Sequence, residues 1–406
     1  MNAVRSAEDN PFEPGFGSVP AVWAGRGDIL PQHAVERRQR LLGRYTRGGV
    51  FVGPSGIGKS VLVNRFAKES AQRGDLVLPA IRVAKRSDPI AQLAKAAEQS
   101  RQGVAFGTLA DSAERLLRRL KVVAVKGVQF APNEANEANP HLVVRDSLIA
   151  LGEALAHENA SRPFNAQRVM LIRIDELQNA DEAHRSQLLA ILGDLLEEQV
   201  AVPIRDGAGT FAEVHLPVVV YLTGLPSLTN KRTDADTFRR RFNTKPLGML
   251  ADAEVVEALL NTPLPGGVRF TDDAAMRLAH LVAGDPYLLQ LVGQQAWLMA
   301  DDGDITVADV NKADDATYGD RLRSVEAALA DIPESELDVL QALYAVVDKQ
   351  LTASPDEVAL QLGMKTTQIA SAAGRLEGRA AITRRQGLWQ VENRLLHRYL
   401  TTGAIH

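Results

Sequence analysis

The sequence predicts an α/β protein in three parts: a parallel sheet covered by helices, a helical module without strands, and a terminal module of three helices and a hairpin. Three observations predict it. Apolar runs of strand length alternate with helical stretches up to about residue 250. One of these runs empties into the glycine-rich loop Gly53-Pro54-Ser55-Gly56-Ile57-Gly58-Lys59-Ser60, and another ends on Asp175-Glu176. Beyond residue 333 the chain reads as three short helices and then two strand-like runs around Gln386-Gly387.

Taken in order, residues 1–20 form an irregular arm punctuated by Pro11, Pro14, Gly15, Gly17 and Pro20. A helix is expected over 32–45, a strand over 49–52, a helix over 61–72 and a strand over 76–83. Helices follow over 90–100, 109–120 and 142–157, then a strand over 169–174, a helix over 182–198 and a strand over 218–222. Strands that are apolar along their whole length belong to a parallel sheet buried on both faces. Arg173 breaks that rule, because a charge in a central strand needs a partner. Gly207-Ala208-Gly209 marks a surface loop. Helices over 253–260, 272–282 and 287–300 make the strandless module. Helices over 334–346, 355–362 and 366–377, with a hairpin over 382–391, make a winged helix-turn-helix.

The 406 residues carry 46 Lys and Arg against 50 Asp and Glu, a net charge of −4, so any nucleic-acid surface has to be a local patch. There is no cysteine, which rules out a disulfide framework and a thiolate metal site. The first residues are polar and proline-bearing, without a signal-peptide core. No run reaches the roughly 18 apolar residues of a spanning helix. The expected location is therefore the cytoplasm, without a membrane partner.

The loop fits G-x-x-x-x-G-K-[ST] between a strand and a helix, which is a P-loop in the context its chemistry requires. Glycines let the backbone turn sharply and bring its N–H groups against phosphate oxygens. The helix that follows points its N-terminus at the anion. ATP with Mg2+ is the expected ligand pair. Gly53, Pro54, Ser55, Gly56, Ile57, Gly58, Lys59, Ser60 and Val61 surround the phosphates, with Lys59 on the β- and γ-phosphates and Ser60 on the metal. Asp175, at a strand tip, is expected in the metal shell, and Glu176 is the candidate general base for the attacking water. Thr223 ends the next apolar run and is the candidate reader of the γ-phosphate. Asn230-Lys231-Arg232-Thr233-Asp234 approaches the guanine-reading Asn-Lys-x-Asp pattern, but its aspartate is one residue too far along. The expectation stays with ATP.

These motifs together resemble the AAA+ P-loop ATPases, and within them the branch of origin-initiator-like, STAND-like and archaeal-type ATPases with a C-terminal winged helix. The resemblance covers residues 10 to the C-terminus. Asn10-Pro11-Phe12 and Ala24-Gly25-Arg26-Gly27-Asp28 are similar to the segment these families place beside the adenine, which implies a nucleotide contact for Arg26. Thr223 takes the position of sensor 1. The cluster Arg239-Arg240-Arg241 lies where such proteins carry an arginine finger, and Arg241 is the first choice. Tyr287, after Gly284-Asp285-Pro286, stands where initiators have a sensor-2 arginine. That departure implies slow hydrolysis and switch-like behaviour. The implied domains are a 1–30 arm and adenine-side segment, a 31–250 ATPase core, a 251–332 helical lid and a 333–406 winged helix.

The C-terminal module is polarised in charge. Residues 333–363 hold one Lys or Arg and six Asp or Glu, whereas residues 364–406 hold seven Lys or Arg and two Glu. Arg375, Arg379, Arg384 and Arg385 are the candidate phosphate contacts for double-stranded DNA. With the nucleotide site in another domain, ATP binding is expected to be independent of them. Two functions follow: a nucleotide-controlled ATPase that self-assembles on DNA, or a regulatory switch whose winged helix binds a protein partner.

Overall fold

Most apolar runs of the first 250 residues become strands of one parallel sheet. Its members are β1 (Gly48–Val52), β2 (Leu76–Val77), β3 (Ile81–Arg82), β4 (Met170–Asp175), β7 (Val218–Gly224) and β8 (Phe242–Pro246); β5 (Gln199–Pro203) and β6 (Phe211–His215) form a separate hairpin. The computed structural model describes residues 7–15, 17–103, 140–204, 209–230, 240–300, 303–330, 332–347, 351–379 and 381–405. The expected helix over 109–120, the stretch 120–139 with its apolar run 122–125, Gly207-Ala208, residues 231–234 and Arg239 lie outside the described residues.

The sheet runs β2–β4–β7–β1–β8, with β3 also paired to β4. All its pairings are parallel. The loop-bearing β1 and the carboxylate-bearing β4 are therefore separated by β7. Both β1 and β7 are buried along their whole length, as an apolar run between two helical layers must be. The strand expected over 76–83 is two short strands, because Pro79 between them offers no N–H to the ladder. Two strand features were not legible. β8 is a polar edge strand, Phe-Asn-Thr-Lys-Pro, and lysine and proline suit an edge. The β5–β6 hairpin leaves Phe211 and the neighbouring Ile204 exposed, so its pattern carries no buried stripe.

One face of the sheet packs Ile172, Ile174, Val218 and Val220 against helices Pro89–Ser100, Pro140–Ser161 and Glu182–Glu197. The other packs Leu171, Val219 and Tyr221 against the helix Lys59–Gln72 through Phe66. On this second face Arg173 finds the partner it needs: it donates to Asn64 Oδ1 at 2.5 Å. Asn64 in turn donates to Gly17 O at 2.8 Å, tying the N-terminal arm to the P-loop helix. A buried polar chain runs beside it, from Ser70 through His33 to Tyr221 and Glu36. Burial pushes the His33 imidazole down to about 4, so it sits there neutral.

The strandless module, expected to be a lid and so called, comprises helices Asp252–Asn261, Asp272–Val282, Pro286–Met299 and Val307–Ala330. The last, of 24 residues, was not predicted. Its buried stripe includes Asp314 and Arg321, which pair with each other, so the apolar period that betrays a helix is missing. The C-terminal module has helices Glu334–Val346, Pro355–Gln361, Thr366–Gly378 and Arg394–Thr402. Its small sheet has the order β10 (Ile382–Arg385), β11 (Leu388–Val391), β9 (Thr352–Ala353). One apolar core runs without a break from Phe12 through Leu278 and Trp297 to Trp389 and Ile405. Lid and C-terminal module are thus packed as a unit. The arm joins it through Phe12, which lies on Gly293; a Cβ there would come within 2.4 Å of the ring.

Candidate nucleotide site

The strand β1 delivers the chain into residues 53–58, and the helix Lys59–Gln72 starts immediately after. Gly58 is its N-cap at φ 88°, ψ 15°, a left-handed conformation that a side chain would strain, and no side chain caps the helix. Its first N–H groups are therefore available to an anion. Lys59 Nζ donates to Gly53 O at 2.9 Å and to Pro54 O at 2.6 Å, which aims the ammonium at the mouth of its own loop. Burial lowers its pKa, against the pull of Glu176 and Asp175.

Parallel register brings the tips of β4 and β7 together beside the start of the helix Lys59–Gln72. Asp175 Oδ2 accepts from Ser60 Oγ at 2.7 Å. Asp175 Oδ1 accepts from Thr223 Oγ1 and, at 3.1 Å, from the Glu176 N–H. The same N–H lies 3.3 Å from Thr223 Oγ1. Glu176 sits at φ 60°, ψ 38°, a left-handed conformation uncommon for a glutamate. Gln178, which sequence reading passed over, donates to Glu176 Oε2 at 2.5 Å and accepts from Leu225 N at 3.2 Å. It ties the glutamate to the end of β7. Its only signal was its place two residues after Glu176.

These groups fit a nucleotide with its magnesium. A glycine loop without a side-chain cap, a buried lysine beside it and a hydroxyl paired with a carboxylate are the donor set that phosphates and a hard cation require. Among the described residues no group of three or more His, Cys, Asp or Glu could hold a metal. Ser60 and Asp175 would share Mg2+ with phosphate oxygens instead, as this ion's preference for substrate phosphates allows.

A cleft of about 750 Å³ opens over the loop, lined by residues 54–61, Arg26 and Glu176. Arg26 at φ 63° donates to Ile57 O at 3.3 Å and to Gly248 O at 2.8 Å. It braces the loop against the start of the lid. Trp23, Met249 and Leu250 add an apolar part to the lining, suited to a base. Tyr287 is on the rim, and Asp285 caps the lid helix; burial pushes the Asp285 carboxyl up to about 6. The C-terminal module also reaches the cleft, through Arg379, Ala381, Glu392, Asn393 and Leu396. The phosphate loop lies outside that module, as expected, but the two share a cleft: the module packs onto the lid, and Arg394 bonds Leu250 O, Ala283 O and Asp252.

Arg241 lies elsewhere. It makes a two-pronged pair with Glu197, at 2.9 and 3.0 Å, and reaches Asp194 at 3.4 Å. Phe242 is in register with Gly48 at the start of β1, whereas the loop follows its end, roughly 16 Å further on. Arg375 and Arg379 both donate to the buried Glu336, at 2.6 and 3.1 Å. Arg384 pairs with Glu377 at 3.1 Å and lies over the Trp389 ring. Arg385 is exposed. Three of the four candidate DNA contacts therefore already hold carboxylates of their own module.

Among the described residues no helix is long and apolar enough to cross a membrane. No family model and no curated protein matches the sequence. Solved structures similar to it include the Orc1 protein of Aeropyrum pernix in complex with DNA, at 14% identity, 95% and 94% coverage of the two chains and TM-score 0.41. A RuvB of Thermotoga maritima gives 13%, 93% and 95%, and 0.43. The Walker-type ATPase of Pyrococcus abyssi gives 15%, 93% and 97%, and 0.49. The assignment of fold rests on the chain's own geometry. The parallel sheet, the loop between β1 and its helix, and the carboxylates at the tip of β4 give this chain the fold of the P-loop ATPases.

Proposed function

We propose that this chain is an AAA+-type, Mg2+-dependent ATPase of low turnover whose C-terminal module responds to the nucleotide state. The observation that carries the reading is the junction of Ser60, Asp175, Thr223 and Glu176 beside Lys59. Lys59 and the loop N–H groups bind phosphates, and Ser60 with Asp175 would hold Mg2+. When bound, the metal neutralises charge building up on the phosphate oxygens. Glu176 orients and deprotonates the attacking water, and Gln178 keeps its carboxylate in place. Thr223, at the tip of β7, relates the state of the phosphate end to the sheet. Tyr287 in place of a cation is what favours slow turnover.

The switch reading is favoured by the walls of the cleft, part of which belong to the C-terminal module. A ligand that meets both lid and module has differential contacts with their closed and open arrangements, the requirement for any nucleotide-driven shift. Arg394→Ala removes three contacts that hold the module to residues 250–252 and 283. At about 1 kcal/mol net for each hydrogen bond, ADP release is expected to quicken by ten-fold or more. Stopped-flow release of a fluorescent ADP checks this, and an unchanged rate would count against coupling.

Assembly on DNA is the second reading. Arg241 cannot reach its own P-loop, so it would serve a neighbouring copy after leaving Glu197. Arg385, with Arg384 once freed from Glu377, would touch duplex phosphates. The wild type should then bind duplex with a steep salt slope, and changing Arg384 and Arg385 to alanine should flatten that slope by about two units. Turnover per subunit should rise with protein concentration on duplex, and should not do so in Arg241→Ala. A chain without salt-dependent duplex binding, with or without ATP, removes DNA from the account and leaves a protein partner for the module.

A further inference from the structure

We propose that Arg82 is a γ-phosphate arginine supplied by the chain itself, a cation that distinguishes a nucleoside triphosphate from a diphosphate and stabilises phosphoryl transfer from within the same subunit. The proposal rests on the ATPase reading and deepens it.

The placement comes from the sheet. β3 pairs with β4, and Arg82 is in register with Asp175. Residues opposite each other in a parallel pair leave the sheet on the same face, and neighbouring strands lie roughly 4.8 Å apart. Arg82 therefore projects on the side where Asp175 meets Ser60. Its neighbours in sequence, Ile81 and Val83, are buried in the core of the other face, which leaves Arg82 no alternative direction. The backbone there is pinned on both sides: Val83 N donates to Asp175 O at 2.9 Å, and Val83 O accepts from Asn179 Nδ2 at 2.9 Å. Thr223 on β7 and Arg82 on β3 thus flank the Asp175-Glu176 corner from opposite sides.

The side chain lines the same cleft as Lys59, Ser60 and Glu176. Three arginines line it, and two are engaged. Arg26 donates to Ile57 O and Gly248 O, and Arg379 holds Glu336. Arg82 is exposed and has no hydrogen bond or ion pair among the described residues. The acids of the adjoining corner are already occupied, Asp175 by Ser60 and Thr223 and Glu176 by Gln178. A guanidinium offers a planar fork of donors that matches phosphate oxygens and cannot lose its charge. Standing by the carboxylate corner, opposite Asp175, it meets the terminal phosphate and not the base.

The test uses the full chain and two variants, Arg82→Ala and Arg82→Lys, with Mg2+ present. Affinities for ADP and for a slowly hydrolysed ATP analogue are measured calorimetrically, and hydrolysis is measured in single turnover. Arg82→Ala is expected to keep ADP affinity within about two-fold, to weaken the analogue about ten-fold, and to slow hydrolysis by about 10²-fold, the usual effect of removing one transition-state donor. Arg82→Lys should recover analogue affinity in part and hydrolysis little, because an ammonium lacks the fork. An unchanged ratio of analogue to ADP affinity together with wild-type hydrolysis overturns the proposal. So does an equal loss of both nucleotides, or a lowered melting temperature that accounts for the loss, since either marks a structural role. A wild-type chain that binds neither nucleotide overturns the ATPase reading itself, a result that the Arg82 variants cannot imitate.

Discussion

Glu176→Gln is expected to bind ATP as the wild type does and to turn it over about 10²–10⁴-fold more slowly, the range for loss of a positioned general base. The substitution keeps the length and planarity of the side chain. Its backbone duties are untouched, because the Glu176 N–H still donates to Asp175 Oδ1 and faces Thr223. The amide oxygen can still accept from Gln178 Nε2. What disappears is the carboxylate's capacity to take a proton from water. The left-handed backbone at residue 176 costs glutamine no more than glutamate, so the melting temperature should not move. Nucleotide binding by calorimetry and phosphate release under saturating ATP check both halves. Wild-type turnover in this variant would mean that another group orients the water.

Lys59→Ala is expected to lower ATP affinity on the order of 10²-fold or more while the chain stays folded. A hydrogen bond to a charged group is worth about 1.5–3 kcal/mol, and the ammonium would reach both the β- and γ-phosphates of a bound nucleotide. The fold tolerates the loss because burial already disfavours this cation, as the lowered pKa indicates. The bonds given up run to Gly53 O and Pro54 O, within the loop itself. The same lowered pKa gives a pH signature. As pH rises toward it the ammonium is lost, so wild-type affinity should fall at alkaline pH while that of Lys59→Ala stays flat. Calorimetry across a pH series reads both effects. Unchanged affinity in the variant would remove the P-loop assignment.

The phosphate half of the site was legible from sequence because its chemistry demands fixed spacing. A loop that wraps phosphates needs glycines where φ is positive, a lysine at the start of the next helix and a hydroxyl beside it, all within eight consecutive residues. Asp175-Glu176 and Thr223 were legible as polar ends of long apolar runs, since a buried parallel strand is most readily polar at its tip, where no second layer covers it. The alternation of these runs with helices gave the fold class. Arg173, anomalous in the sequence, was explained only when the fold set Asn64 beside it.

Other features depend on residues far apart in the chain, and there local pattern is silent. The helix Val307–Ala330 hid behind a buried Asp314–Arg321 pair, and β8 behind the polar composition of an edge strand. Gln178 and Arg82 became candidates only through the strands beside them. The four candidate arginines of the C-terminal module looked alike in sequence, but Glu336 and Glu377 separate three of them from Arg385. By itself the sequence determined that a phosphate loop precedes a helix and that two carboxylates end a buried strand, because backbone conformation and strand burial act over a few neighbouring residues. Only the tertiary structure decided which side chains share the cleft and which cations are already spent on carboxylates. It also brought the C-terminal module to the cleft over the phosphate loop, since burial, pairing and register are settled between segments hundreds of residues apart.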